Sequence, residues 1–126
     1  MKIIRNKYIP FPGFKAINLF GVLFVRSNAN IDDVTINHEG IHSKQFIELM
    51  ILFAVATVFI RWWLPLFAPL FFYVWYVAEW LVHLIRFRST YIAYRSISFE
   101  REAYTHQGDF SYLKGRRLFD FLRYIR

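Results

Sequence analysis

Two long apolar runs, separated by a handful of residues, constrain this chain more than any other feature. The first, Phe46 to Ile60, is interrupted only by Glu48 and ends at Arg61-Trp62-Trp63. The second, Leu64 to Ile85, contains Glu79 and His83 and is closed by Arg86 and Arg88. A helix rising about 1.5 Å per residue needs roughly 20 residues to cross ~30 Å of hydrocarbon. Both runs meet that length if the first helix begins upstream of Phe46. Pro65 and Pro69 fall in the opening turns of the second, where a helix tolerates a missing N–H. A connection this short permits only an antiparallel hairpin. As core helices of a soluble protein the same runs would need covering, and residues 1–45 and 86–126 are too short to supply it. The expected fold class is therefore a mainly α integral membrane protein built on a transmembrane helical hairpin.

Composition agrees. The 126 residues allow one domain, and 56% are hydrophobic and 21% aromatic, with 15 Phe. Cysteine is absent, which excludes disulfides, thiolate zinc sites and a cysteine nucleophile. Any transition metal has to be held by histidine, carboxylate or water. A net charge of +7 suits nucleic acid or an anionic membrane surface. No RNA-recognition or helix-turn-helix pattern is visible, so the bilayer, with its anionic headgroups at the basic face, is the expected partner and nucleic acid is not. The hairpin turn carries only Arg61, whereas Lys2, Arg5, Lys7, Lys15, Arg26 and Lys44 precede it and nine cations follow from Arg86 to Arg126. Basic residues stay on the cytoplasmic side, which places both termini there.

Within this single domain the flanks divide simply. Residues 1–36 carry no helical stripe: "PFPGF" (10–14) breaks regular structure, and "NLFGVLFVR" (18–26) suits a strand, so an arm of one or two strands is expected. Two prolines and Lys15 interrupt what would otherwise resemble a signal peptide. Asp32, Asp33 and Thr35 are candidate caps for a helix that starts the 37–88 motif-and-hairpin region. In residues 89–126, Ser96 or Ser98 can cap a helix carrying Glu100 to His106 and ending at Gly108. The tail "SYLKGRRLFDFLRYIR" reads as a basic amphipathic segment on headgroups.

The chemistry is concentrated where the arm meets the hairpin, in His38-Glu39-Gly40-Ile41-His42. Helical spacing of four puts both imidazoles on one face, a turn apart, where they can share one Zn²⁺. Glu39 points aside from them, placed to take a proton from an attacking water. A third protein ligand is needed. Glu100 in "SFEREAY" is the leading candidate, because the chain has returned to the cytoplasmic side by then; Glu102, turned roughly 200° away on the same helix, is the alternative. His42 lies 19 residues before Arg61 and His83 lies 18 beyond Pro65, so both return to similar depth, with Glu48 and Glu79 slightly deeper. Ionisable groups at membrane depth are costly and mark candidate sites. Glu79 and His83, four apart, are expected to satisfy each other or to act behind the ligands. Gln45 shares the ligand face, and Glu48 is expected to pack or snorkel.

HExxH followed on a later helix by E-x-x-A resembles the gluzincin zinc metallopeptidases. It is most similar to their membrane-embedded kind, the heat-shock membrane protease and prenyl-protein protease group, and to single-domain minigluzincins. The matched positions are residues 38–42 and 100–103, together with the hairpin order. The resemblance implies a peptidase acting on peptide or protein substrates, with His38, His42 and Glu100 on zinc and Glu39 as general base. Where the membrane group has an aspartate four residues after its glutamate ligand, this chain has Tyr104. Tyr104 or His106 is then the expected donor to the tetrahedral intermediate. An edge strand that pairs with extended substrate is also implied, with Asn18, Leu19, Phe20, Gly21, Val22, Leu23 and Phe24 as its candidates. Two other classes fit the residues: a membrane iron oxidase, since Glu39-x-x-His42 is also a di-iron motif, and a non-catalytic metal-binding membrane protein.

Overall fold

A computed structural model describes residues 1–10 and 13–126; Phe11 and Pro12 of the expected "PFPGF" break lie outside the described residues. Three strands come first: β1 (Lys2–Asn6), β2 (Ala16–Leu19) and β3 (Val22–Arg26). They form one sheet in the order β1-β3-β2, with β1 parallel and β2 antiparallel to β3. The expected single strand from Asn18 to Arg26 is therefore broken. Phe20 and Gly21 both have positive φ, at 53° and 79°, which makes a two-residue hairpin whose twist matches the flanking strands. The N–H of Phe20 is held by the Tyr73 hydroxyl at 2.7 Å, which ties the turn to the helices.

Helix α1 (Asp33–Val58) follows as one continuous 26-residue rod, about 39 Å long. Asp32 caps it by accepting from the Thr35 N–H at 2.8 Å, and Asp33 complements the dipole in the first turn. Its buried residues run from Asn37 to Leu49 and include the polar motif; beyond Leu49 no residue of the helix is buried. A 3-10 turn (Leu64–Phe67) leads into α2 (Ala68–Phe87), with Pro65 and Pro69 at the starts of the two elements. The chain then folds back through α3 (Thr90–Ser96), α4 (Ser98–His106), the short α5 (Tyr112–Gly115) and a 3-10 turn at Asp120–Tyr124.

Phe46, Leu49, Phe72, Ile97, Phe99 and Phe121 make the core, where α1, α2, α4 and the last turn meet. Elsewhere the hairpin shows its apolar side chains outward. Ile51, Leu52, Val55, Val58, Leu70, Val74, Val77, Leu81, Val82 and Ile85 are all exposed. The segments Asp33–Val58 and Leu64–Phe87 are each long and apolar enough to cross a membrane. The tail departs from the expected amphipathic segment. Arg116 turns inward with its side chain 3% exposed, and Asp120 and Phe121 are buried.

Candidate metal centre

Helical spacing on α1 brings the His38 and His42 rings together at 4.8 Å between centroids, and α4 delivers Glu100 to the same point. The two Nε2 atoms are 3.1 Å apart. Glu100 Oε2 lies 3.3 Å from His38 Nε2, and its Oε1 lies 3.3 Å from His42 Nε2. Ligand atoms about 2.0–2.1 Å from a tetrahedral cation sit about 3.3 Å from one another, which is this spacing. All three residues are buried, and the group can hold a metal ion.

What stands behind the ligands favours a cation over a chance contact. His38 Nδ1 meets the Gln107 amide oxygen at 3.0 Å, and His42 Nδ1 meets the Gln45 amide oxygen at 2.8 Å. An amide oxygen only accepts, so each ring places an Nδ1–H on it and turns its Nε2 toward Glu100, where it holds either a proton or a cation. The Glu100 carboxylate accepts from Tyr76 at 2.8 Å and from Tyr94 at 3.1 Å. Burial works against its ionisation, yet the imidazole of His42 and the bonds from His38, His42 and Tyr76 hold it well below the usual carboxylate range. Burial and the adjacent Glu100 charge push the Tyr94 hydroxyl up, so it stays a donor. Converging acceptors of this kind need positive charge among them, a proton or a metal ion, and the tetrahedral spacing suits the metal.

Nine residues make α4, and both its ends are clamped. At the start, neither Ser96 nor Ser98 caps it. Instead Glu79 of α2 accepts from the Ser98 N–H and from its Oγ–H, each at 2.8 Å. At the far end, Asn37, one residue before His38, donates its amide to the carbonyls of His106, Gln107 and Asp109 at 2.9–3.2 Å. Asn37, beside His38 in the chain, thereby also fixes the helix that brings Glu100.

The remaining candidates separate clearly. Glu102 faces away from the cluster, fully buried against Arg116, Tyr112 and Gln45. Glu79 and His83 do not join the ligands; His83 sits 3.7 Å from Glu79, too far for a hydrogen bond. Glu48 is buried against Arg116 and the Phe119 N–H rather than snorkelling. Tyr104 packs its ring on His38, and its hydroxyl meets that of Tyr94 at 3.1 Å. His106 is engaged elsewhere, stacked on Tyr112 at 3.7 Å and bonded to the Tyr124 hydroxyl at 2.6 Å. Tyr76 and Tyr94, which no motif flagged, are the hydroxyls that reach Glu100.

A cleft of about 430 Å³ opens over the cluster, lined by Ala16–Leu19 of β2, by His38, Glu39 and His42, by Phe46, Phe72, Tyr73 and Tyr76, and by Tyr94 and Glu100. Glu39 is half-buried on its wall, without a side-chain hydrogen bond among the described residues. The strand beside the metal group is β2, so of the expected substrate-pairing residues only Asn18 and Leu19 lie on it. Val22, Leu23 and Phe24 belong to the central strand, whose backbone is already paired on both sides. Arg26 donates its N–H to Lys15 at 3.0 Å, which makes Lys15, Ile17 and Leu19 the residues bonded to β3. Ala16 and Asn18 therefore turn their N–H and C=O to the free edge. The Asn18 side chain is anchored on α1, donating to the Glu39 carbonyl at 2.8 Å and to Ser43 Oγ at 2.9 Å.

No family model matches the chain, and no curated protein or solved structure matches it either.

Proposed function

We propose that this chain is an integral membrane zinc metallopeptidase of gluzincin type, hydrolysing peptide bonds at the cytoplasmic membrane face. The observation that carries the proposal is the convergence of His38, His42 and Glu100 at tetrahedral spacing, with Glu39 on the wall of the cleft above them. Zinc held there supplies Lewis acidity, polarising a carbonyl and making water more acidic. Glu39 accepts the proton of the attacking water and returns it to the leaving amine. The free edge of β2 pairs with an extended substrate through Ala16 and Asn18, which lays its backbone across the cluster. Tyr76 and Tyr94 hold the Glu100 carboxylate in its orientation, each donating its one hydroxyl hydrogen to it. Phe46, Phe72 and Tyr73 offer an apolar wall to a substrate side chain.

Outward-facing apolar residues along both long helices support insertion, since a face this large is stable only against lipid or a partner. The excess of cations outside the hairpin turn supports cytoplasmic termini. The di-iron alternative loses ground, because no second ligand group accompanies the first among the described residues.

The test is hydrolysis of a fluorogenic library of unstructured peptides by the zinc-loaded protein in lipid vesicles. Cleavage that stops on chelation and returns with zinc is the expected result. Stoichiometric zinc without cleavage of any peptide would instead favour the non-catalytic metal-binding protein.

A further inference from the structure

His83 on α2 is 3% exposed, yet neither of its ring nitrogens has a hydrogen-bond partner among the described residues. Glu79, one turn earlier, does not supply one. Its oxygens are taken by the N–H and hydroxyl of Ser98 and by the Trp75 indole N–H at 3.2 Å, and His83 Nε2 stays 3.7 Å away. Closing that gap would serve one ring nitrogen and leave the other. Buried polar atoms are rarely left so, because an unmade hydrogen bond costs stability. The ring lines a groove of about 460 Å³ between α2 and the end of the chain, apart from the metal cleft. Phe71, Val74, Ala78 and Val82 line it from α2, and Ile125 and Arg126 line it from beyond the last turn.

This groove has the length and the polarity of one bilayer leaflet. Its α2 residues recur three and four apart, as a single stripe on the helix, and from Phe71 to His83 the stripe runs about 18 Å. One leaflet of hydrocarbon is about 15 Å deep. The end nearer the hairpin turn is apolar; the other end carries His83 and Arg126. Arg86, one turn beyond His83, lies over the Phe87 ring at 5.2 Å, and that ring stacks on His83 at 5.9 Å. A lipid of the cytoplasmic leaflet has the same order, tail inward and charged headgroup at the surface. We propose that the groove binds one anionic phospholipid of that leaflet, with an acyl chain along Phe71 to Val82, a glycerol or ester oxygen on the His83 ring and the phosphate on Arg126. An imidazole carries at least one N–H in every form, and each of those oxygens can accept it. Guanidinium suits phosphate because it offers two parallel N–H donors. The Glu79 carboxylate opposes this little, since its three donors hold it toward Ser98 and Trp75. The inference rests on the membrane insertion proposed above and is independent of zinc and of peptidase activity.

The experiment reconstitutes the full chain into vesicles of equal parts phosphatidylcholine and phosphatidylglycerol, checks insertion by flotation, and counts the lipids retained by native mass spectrometry after release into detergent. Wild type is expected to keep one phosphatidylglycerol per chain, in about tenfold preference to phosphatidylcholine. His83→Leu and Arg126→Gln should each lower the retained fraction about tenfold, while Arg61→Gln, at the opposite end of the hairpin, should leave it unchanged. Leucine at 83 also separates the two roles of the ring: a merely unpaired core histidine would be replaced with no loss of lipid. If His83→Leu does not fold, the exposed Arg126 and Arg86 carry the test as glutamine variants, with thermal unfolding in lipid-free micelles expected to match wild type. Equal retention of both lipids overturns the site, as does an equal loss in Arg61→Gln. A lipid-free dimer overturns it too, by showing that a second copy of the chain covers the groove. Protein that does not float with the vesicles sinks the membrane reading and this site with it, whereas protein that floats but keeps no lipid selectively sinks the site alone.

Discussion

Glu39→Gln is expected to leave zinc bound and the fold intact while kcat for peptide hydrolysis falls by about 10²–10⁴-fold. The geometry separates these effects. Glu39 lies beside His38 in sequence yet outside the ligand group, half-buried on the cleft wall, so removing its charge disturbs no ligand atom. Glutamine keeps the size of the side chain and loses only the ability to take a proton. The deficit should therefore fall on kcat with little change in KM, the pattern of an interaction made only in the transition state. Loss of zinc in this variant would make Glu39 part of the metal group instead. Full activity would place the base elsewhere.

Phe99→Ala carries the largest expected cost to stability, about 3–5 kcal/mol. Phe99 is fully buried, with ring centroids 4.7 Å from both Phe72 and Phe121, so it joins α2, α4 and the C-terminal turn. It also immediately precedes Glu100, and its carbonyl holds Gln45. The cavity left by alanine should lower the unfolding temperature in micelles and weaken zinc binding together. A loss below about 1 kcal/mol would mean that the cluster around Phe99 is not the scaffold of the site.

The parts of the fold written in local spacing were legible in the sequence. His38 and His42 share a face because they are four apart on a helix, and the two apolar helices announced themselves by length. Asp32 was readable as a cap. The sheet was read poorly, since Phe20 carries positive φ without the usual glycine or asparagine signal, and only Gly21 hinted at the turn that divides the expected strand. Long-range partners were invisible for a different reason. Nothing local to Glu79 says that it caps a helix nineteen residues later, and Arg116 stands in "KGRR", which reads as solvated charge. Tyr76 and Tyr94 escaped notice through the same limit: their hydroxyls reach Glu100 from α2 and α3, and only the packing of three helices brings them there.

The most direct test of the central claim is the zinc content of detergent-purified protein, by elemental analysis, for wild type, His42→Ala and Glu100→Ala. About one zinc per chain in wild type, lost in both variants, is the result expected of a centre held by His38, His42 and Glu100. No zinc in wild type, or zinc retained without Glu100, would contradict it.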